Sequence, residues 1–265
     1  MMPFIHIGPI TIASYGLCVG IAMLIAYFVL ARDVARRGIN APADLLVAVP
    51  CIAGLIGAKL YHVLEDPRLL MANPRELISQ YGFAWFGGFL GGFIAFVVLA
   101  RHYRVPLLEM FDAAAPAAAL GYGLGRIGCL ISGDGDYGIP TSLPWGMSFP
   151  HGLVPTTQRV HPTPIYELIV AIFIFWWLWR LGGRQVALRN APKAKLGAAI
   201  PRGTVFAWYL ILTGVARFLV EFIRINPRSF FGMTNAQTAS LASVMVGVAL
   251  LWHLRRPTAA TARHY

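Results

Sequence analysis

The chain has 265 residues, of which 57% are hydrophobic and only 12% are charged, and its formal net charge is +11. Soluble domains carry about 25% charged residues, so this composition excludes an ordinary soluble globular protein. The positive charge fits membrane topology and anionic headgroups better than a nucleic-acid partner, and we predict no nucleic-acid binding.

Seven long apolar stretches follow one another along the chain, and most are near the ~20 residues that a membrane-spanning helix requires. The first lacks a basic leading segment and is longer than the apolar core of a cleavable signal peptide. The three cysteines lie in or beside these stretches, so no disulfide framework is predicted. The sequence therefore predicts an all-α integral membrane protein with about seven transmembrane helices: Ile10–Ala31, Ala43–Val63, Tyr81–Ala100, Met110–Ile131, Pro164–Leu181, Gly203–Ile223 and Ala236–Leu254.

Lys and Arg concentrate in alternate connections between these stretches, beginning with Arg32, Arg36 and Arg37 after the first. Because cytoplasmic connections carry the excess of basic residues, we expect the N-terminus outside and the C-terminus in the cytoplasm. The expected organisation is a single polytopic membrane domain over residues 1–265, with an outer loop at 132–162 that caps the bundle, a cytoplasmic loop at 182–202 and a cytoplasmic tail at 255–265.

Glycines cluster in two of the stretches. Gly87-Gly88-Phe89-Leu90-Gly91-Gly92 opens the third, where small residues four apart predict close packing between helices. Gly125 and Gly128 in the fourth stretch flank a charged residue, which favours approach of the backbone to a ligand.

That charged residue is Arg126, within the fourth apolar stretch. A guanidinium at the centre of a spanning helix costs about 2.5–3.5 kcal/mol on insertion scales. Three interpretations are open: a pair with an internal carboxylate, for which Asp134 and Asp136 are candidates, snorkelling to the interface, or binding of an anion.

The sixth stretch contributes Arg217 and Glu221, and Arg224 follows at its end; their i, i+4, i+7 spacing places all three on one helical face. An internal Arg–Glu–Arg ladder is one interpretation. However, one carboxylate between two arginines leaves an excess positive charge. Together with Arg126, this excess predicts a site for a phosphate, which accepts bidentate arginine contacts. In a bilayer, the expected phosphate is that of a phospholipid.

Three other groups of polar residues have both a structural and a functional interpretation. The run His161-Pro162-Thr163-Pro164-Ile165-Tyr166-Glu167 is typical of a helix start, with its first threonine as a candidate cap. Tyr15 either packs within the first span or faces the site. Lys59 and His62 share a face of the second span. Lys59 either snorkels or lines the site, and His62 and Tyr15 are candidate bases.

Together these motifs resemble the prolipoprotein diacylglyceryl transferase family of bacterial membrane enzymes, from about Ile7 to His253. The run from Gly125 to Gly138 looks like that family's signature, a Gly-Arg-x-Gly sequence followed by a polar, glycine-containing turn. The other matching motifs occur in the family's order: Tyr15-Gly16, His161-Pro162 with Tyr166-Glu167, and Ala216-Arg217 with Val220-Glu221-Phe222 and Arg224.

The resemblance implies an enzyme that transfers the diacylglyceryl group of phosphatidylglycerol to the lipobox cysteine of a prolipoprotein. The product is a thioether, and glycerol phosphate leaves. The implied partners are phosphatidylglycerol, the prolipoprotein and membrane lipids, with no cofactor and no metal. The implied location is the bacterial cytoplasmic (inner) membrane, crossed several times.

The same resemblance implies roles for particular residues. Arg126 and Arg217 are expected to be catalytic, because they would bind the phosphate and stabilise its developing charge. Substrate binding is expected to involve these two arginines and six further residues: Tyr15, Gly138, His161, Tyr166, Glu221 and Arg224.

The sequence departs from the family pattern at Phe86, where the family has a histidine before two glycines. Phenylalanine cannot accept a proton. This leaves two alternatives to the implied function: a transferase of the same fold with a different acceptor, and a non-catalytic phospholipid-binding or transport protein. Cys129 and Lys59 also stand where some members carry Asn and Arg.

Overall fold

A computed structural model of the chain describes residues 1–65, 84–191, 199–228 and 231–255. Seven of its helices are long and apolar enough to cross a membrane, which confirms the predicted number. In chain order the elements are β1 (Phe4–Ile7), β2 (Ile10–Ala13), α1 (Ser14–Arg37), α2 (Ala43–Glu65), α3 (Trp85–His102), α4 (Leu107–Ser132), β3 (Met147–Phe149), β4 (Thr156–Val160), α5 (Thr163–Arg189), α6 (Thr204–Val220), a 3-10 turn (Glu221–Ile223) and α7 (Asn235–Arg255).

The first predicted span was wrong at its start. Ile10–Ala13 is not helical but forms strand β2, which pairs antiparallel with β1. Gly8 adopts φ +59 between the strands, and three consecutive β-branched residues in β2, Ile-Thr-Ile, favour a strand. Helix α1 then begins at Ser14, whose amide and hydroxyl both donate to the Pro3 carbonyl, each at 3.0 Å.

The predicted cytoplasmic loop at 182–202 was also wrong in its first part, because α5 continues to Arg189. The side chain of Gln185, on this extension, is buried and donates to Asp112 Oδ2 at 2.8 Å. Residues 192–198 of that loop, residues 81–83 of the third predicted span and residues 256–265 of the tail lie outside the described residues.

The chain divides into two compact units, which we describe separately. One comprises Ala31–Met110, and the other comprises Met1–Leu30 with Phe111–Tyr265. In the first unit, α2 and α3 cross with their backbones in contact. A Cβ at Gly57 would lie 2.4 Å from the Gly87 carbonyl oxygen, and one at Gly91 would lie 2.4 Å from the Ala53 carbonyl oxygen. The glycines that open the third span therefore pack helices together, as predicted.

The second unit has its core between α4, α5 and α6. Ala115, Ala119, Ile174, Leu178 and Val205 form the buried cluster at this core. Beside it, the fully buried carboxylate of Asp112 accepts hydrogen bonds from the amides of Gly203 and Phe206, at 2.7 and 2.8 Å. A side chain of α4 thus caps the N-terminus of α6 and satisfies backbone donors that the helix itself leaves unpaired.

The segment 132–162 is ordered by its own hairpin and by backbone contacts with the end of α4. Leu153 and Val154 donate their amides to the carbonyls of Ser132 and Gly133, both at 2.9 Å. Tyr137, Phe149 and Val160 form a small apolar core within it. The sequence reading of an all-helical chain missed this hairpin, since neither of its two strands is long or strongly apolar.

Candidate active site

Six charged side chains from separate parts of the second unit meet near the ends of three helices. Helix α4 carries Arg126, the first turns of α5 carry Glu167, and the end of α6 with its 3-10 turn carries Arg217 and Glu221. Asp136 and Arg224 come from the connections that follow α4 and the 3-10 turn. We call these six residues the arginine cluster: Arg126, Asp136, Glu167, Arg217, Glu221 and Arg224.

Glu167 is the centre of the arginine cluster. Its side chain is 4% exposed and lies close to all three arginines. Oε1 accepts from Arg217 Nη1 at 2.8 Å, while Oε2 lies 3.4 Å from Arg126 Nε and 3.5 Å from Arg224 Nη1. Because one buried carboxylate contacts three guanidinium groups, it fixes their mutual positions.

Asp136 joins two of the arginines from the other side. Its Oδ2 pairs with Arg126 Nη1, and its Oδ1 pairs with Arg224 Nη2. Burial by itself would raise the pKa of Asp136, but the hydrogen bond from Arg224 and the charges of Arg224 and Arg126 lower it below its ordinary value. With 29% of its side chain exposed, Asp136 is the most accessible carboxylate of the cluster.

Glu221 completes the cluster and corrects the predicted charge. Its fully buried carboxylate lies 3.0 Å from Arg217 Nη2 and 3.6 Å from Arg224 Nε, so the predicted Arg–Glu–Arg contacts form even though α6 ends at Val220. The predicted excess of positive charge on these arginines is wrong. Three carboxylates face the three arginines, so the formal charge of the cluster is zero.

Tyr122 lies one helical turn before Arg126 and contacts the same group. Its hydroxyl donates to Glu167 Oε1 and accepts from Arg126 Nη2 at 3.0 Å. The Arg126 guanidinium carbon also lies 4.7 Å from the centre of the Tyr122 ring. The ring and the hydroxyl together hold the arginine side chain in place.

Gly138 is placed where no other residue fits. It forms a β-bridge with Arg224, and its amide donates to the His161 carbonyl at 2.8 Å. A Cβ at this position would lie 2.5 Å from the Ile223 carbonyl oxygen and 2.9 Å from His161 Cβ. Gly138 therefore contributes by a close backbone approach that positions Arg224.

His161 and Tyr166 contact each other beside the arginine cluster. His161 Nδ1 lies 3.2 Å from the Tyr166 hydroxyl, which also accepts from Trp145 Nε1 at 2.7 Å. The predicted capping threonine does not cap α5, because the residue at the cap position is Pro162. Thr163 Oγ1 instead donates to the Asp136 carbonyl. This bond ties the start of α5 to the loop that carries Asp136.

Tyr15 lies in the first turn of α1 and packs against α4 near Arg126. A Cβ at Gly128 would be 3.2 Å from Tyr15 Cδ2 and 3.2 Å from Cys18 Cβ, so the glycine permits this contact. Tyr15 is half-exposed, whereas the neighbouring Cys129 is buried with its sulfur 3.7 Å from Arg126 Nη1. Gly128 thus serves helix packing here rather than a ligand.

Comparison with known proteins identifies the family of this chain. The sequence profile of the family described as prolipoprotein diacylglyceryl transferase matches residues 3–253. The chain belongs to this family. Its relatives include three proteins named phosphatidylglycerol–prolipoprotein diacylglyceryl transferase. That of Clostridium tetani is 32% identical over 246 residues, covering 89% of this chain and 91% of the relative. Those of Synechococcus elongatus and Cupriavidus metallidurans are 31% and 33% identical, covering 94% and 97% of this chain and 86% and 95% of the relatives.

Three further residues that the sequence analysis singled out lie in the first unit of this diacylglyceryl transferase family member. We describe that unit by itself. His62 is in the last turn of α2 and half-buried, and Lys59 is buried on the same helix. Phe86 is 63% exposed near the start of α3, in a row of aromatic rings with Trp85 and Phe89. Their roles remain predictions.

Sequence reasoning named Glu167 only as part of a motif and Asp136 only as a candidate partner, and it assigned no role to Tyr122. A signal for them existed, because three arginines in or directly beside apolar stretches require carboxylates, and these are scarce. The whole chain contains only 11 Asp and Glu. Searching those few acids for ones at the ends of apolar stretches would have pointed to Glu167 and Asp136.

Asp136 and Asp134 give a matched pair for testing the arginine cluster. Because its pKa is lowered, Asp136 contributes stability above its ordinary pKa of about 3.9, and this contribution is lost as pH falls through the lower folded-state value. The pKa of Asp134 is raised, by burial and by the charge of Asp136, so its ionisation at neutral pH favours unfolding.

We expect Asp136→Asn to lower the free energy of unfolding at pH 7 by about 2 kcal/mol, or about 5 °C in apparent Tm in detergent. Asp134→Asn should leave the apparent Tm unchanged or raise it. The difference between wild type and Asp136→Asn should shrink as pH falls below about 4, because the carboxylate of the unfolded state takes up its proton there and that of the folded state does so only at lower pH. Equal losses in the two variants would contradict the assigned roles.

Proposed function

We propose that this protein transfers the diacylglyceryl group of phosphatidylglycerol to a cysteine thiol of prolipoproteins, the reaction named for its relatives. The arginine cluster is the single observation in the structure that best supports this. A phosphodiester in the membrane requires fixed cationic donors, and planar guanidinium groups bind phosphate oxygens in pairs. The cluster holds three such groups in one place, and two of them, Arg126 and Arg217, lie on helices long enough to cross a membrane.

The charge balance of the cluster suggests how the lipid enters. Asp136 is the exposed carboxylate, while Glu167 and Glu221 are buried. If the lipid phosphate displaces Asp136, three arginines face two carboxylates and one phosphodiester charge. The formal charge is then zero, as it is before binding. The lipid therefore exchanges with one carboxylate, and the buried arginines keep a balanced formal charge while the displaced, more exposed Asp136 is left to solvent.

The same arginines then stabilise the transition state of the chemical step more than they stabilise the bound substrate. The thiolate sulfur attacks the glycerol carbon that carries the phosphate ester, a C–S bond forms, and the C–O bond breaks with its electron pair going to the phosphate. The departing glycerol phosphate gains negative charge as it leaves. Arg126 and Arg217 therefore bind the leaving group more strongly in the transition state than in the substrate.

The thiol proton must go to another group, and the chain does not have the family histidine at position 86. A thiol of ordinary pKa, about 8.5, is mostly protonated at neutral pH. The positive field of Arg126 and Arg217 lowers this pKa once the thiol is near. The proposed acceptors are His62 and Tyr15, the tyrosine only in its ionised form, since a neutral phenol cannot take up a proton. Tyr15 is half-exposed and packed on the helix that carries Arg126.

We also propose a topology and a location. The N-terminus lies outside and the C-terminus in the cytoplasm, with residues 1–265 as one membrane domain and 132–162 as an outer loop above the arginine cluster. Its ordered hairpin and its direct contacts with Arg126 and Arg224 through Asp136 support this role. The bacterial relatives support the cytoplasmic membrane as the location.

Phe86 favours one second candidate, a transferase that uses the same lipid but a different acceptor. An acceptor group that needs less help than a thiol in losing its proton would not require a histidine at position 86. A protein that only binds or transports phospholipid would keep the arginine cluster without performing transfer.

The test is transfer from labelled phosphatidylglycerol to a lipobox peptide by the purified protein. We expect transfer with the cysteine peptide and none with its serine counterpart. Arg126→Ala and Arg217→Ala should each lower the rate by about 10²–10³, the usual effect of removing one transition-state donor. Arg126→Lys should also lose most activity, because it keeps the charge but not the planar fork.

Arg255→Gln is the control, because it removes an exposed arginine from the end of α7 and should retain full activity. Binding of phosphatidylglycerol without transfer to the thiol peptide would contradict the proposed activity. Transfer to a serine or amine peptide at the same rate would favour the second candidate.

Phe86→His tests the missing base directly. If a histidine at this position accepts the thiol proton in the family, the variant should gain rate most strongly between pH 6 and 7, near the ordinary pKa of histidine. Phe86→Gln is the matched control, since it is polar but cannot take up a proton. An unchanged pH–rate profile in Phe86→His would show that this chain transfers the proton elsewhere.

A further inference from the structure

A second group of cationic side chains lies on α5, away from the arginine cluster. We call four residues on this helix the aromatic–basic patch: Trp176, Trp177, Arg180 and Arg184. The Arg180 guanidinium carbon lies 4.5 Å from the centre of the Trp176 ring. With Leu181, the four side chains line a groove of about 380 Å³.

The aromatic–basic patch is remote from the arginine cluster along the same helix. Arg180 follows Glu167 by 13 residues and Arg184 follows it by 17. At 1.5 Å per residue, these separations are about 20 and 26 Å. Since the hydrocarbon core is about 30 Å thick, the patch and the cluster lie near opposite boundaries of the membrane.

The charge state of the patch also differs from that of the cluster. Arg180 and Arg184 are both exposed, and neither pairs with a carboxylate within the part of the chain that the structure describes. Three carboxylates balance the arginines at the other end of α5. Here two guanidinium groups remain available to an external anion, one turn apart on one helical face.

The aromatic residues indicate which kind of anion the aromatic–basic patch can bind. Tryptophan favours the boundary between hydrocarbon and headgroups, where its ring is apolar and its N–H polar. Trp177 is held by an edge-to-face contact with Trp208 of α6, with ring centres 5.1 Å apart. Arg180 is held by stacking on Trp176. A ligand there meets the stacked Arg180 and its neighbour Arg184 on one side and an apolar wall on the other.

We propose that the aromatic–basic patch binds the phosphate of an anionic phospholipid, with the lipid's acyl chains along Trp177 and Leu181. This is a lipid site separate from the arginine cluster, and it does not depend on the proposed transferase activity. Free phosphate shares the anionic chemistry but lacks the chains that would use the apolar wall.

Photolabelling tests the site in the full chain. The protein is placed in phosphatidylcholine nanodiscs that contain phosphatidic acid with a photoactivatable group near the glycerol end of one chain. We expect label on the peptide that contains residues 176–184. Since each arginine near an anionic headgroup contributes about 1 kcal/mol, R180Q/R184Q should lower this labelling by about tenfold or more.

R101Q/R255Q is the matched control, because it removes two exposed arginines from the ends of α3 and α7 and the same net charge. It should retain the labelling of the α5 peptide. Trp176→Leu keeps both charges and an apolar surface, and it should show a smaller loss than R180Q/R184Q. Unchanged apparent Tm in each variant shows that folding is intact.

Three results would overturn the proposal. Equal losses in R180Q/R184Q and R101Q/R255Q would mean that general positive charge attracts the lipid. Equal labelling by photoactivatable phosphatidylcholine would mean that only the apolar wall binds. Complete competition by millimolar inorganic phosphate would mean that the site binds a free anion rather than a lipid.

Discussion

The buried carboxylate of Glu167 is the constraint on which the candidate site depends. Arg126, Arg217 and Arg224 come from α4, from α6 and from the chain after it, and all three contact this one side chain. Removing one partner from a buried ion pair costs about 3–5 kcal/mol, because the remaining charge stays buried. Glu167 therefore joins the ends of the helices and orients the arginines in a single arrangement.

That arrangement makes the site stable and also ready for exchange. A cluster with unbalanced positive charge would attract any anion but would destabilise the fold. Balance by three carboxylates removes this cost, and only one of them, Asp136, is substantially exposed. Among the described residues, no carboxylate balances the aromatic–basic patch at the other end of α5. The two arginine groups of this helix thus suit different tasks: Arg126 with its neighbours suits chemistry on a bound lipid, and Arg180 with Arg184 suits retention of one.

Sequence reasoning predicted most of the fold and part of the site. Hydropathy predicted the seven helices because each must carry enough apolar residues to cross a bilayer, and local spacing predicted the contacts of Glu221 with two arginines. The carboxylate of Glu167 could not be assigned to Arg126 in this way, since it lies at the start of a later helix. Asp136 was predicted only as one of two candidate partners, because local spacing does not distinguish it from Asp134. Hydropathy also misassigned Ile10–Ala13, because β-branched residues are equally apolar in a strand and in a helix.

The most direct test of the central claim is an experimental structure of the full chain in a lipid nanodisc with phosphatidylglycerol and without acceptor peptide, so that the lipid is not consumed. The account predicts phosphate oxygens at about 3 Å from the guanidinium nitrogens of Arg126 and Arg217, with Asp136 displaced and Glu167 still bound to both arginines. A phosphate bound elsewhere, with the Asp136–Arg126 pair intact, would contradict it.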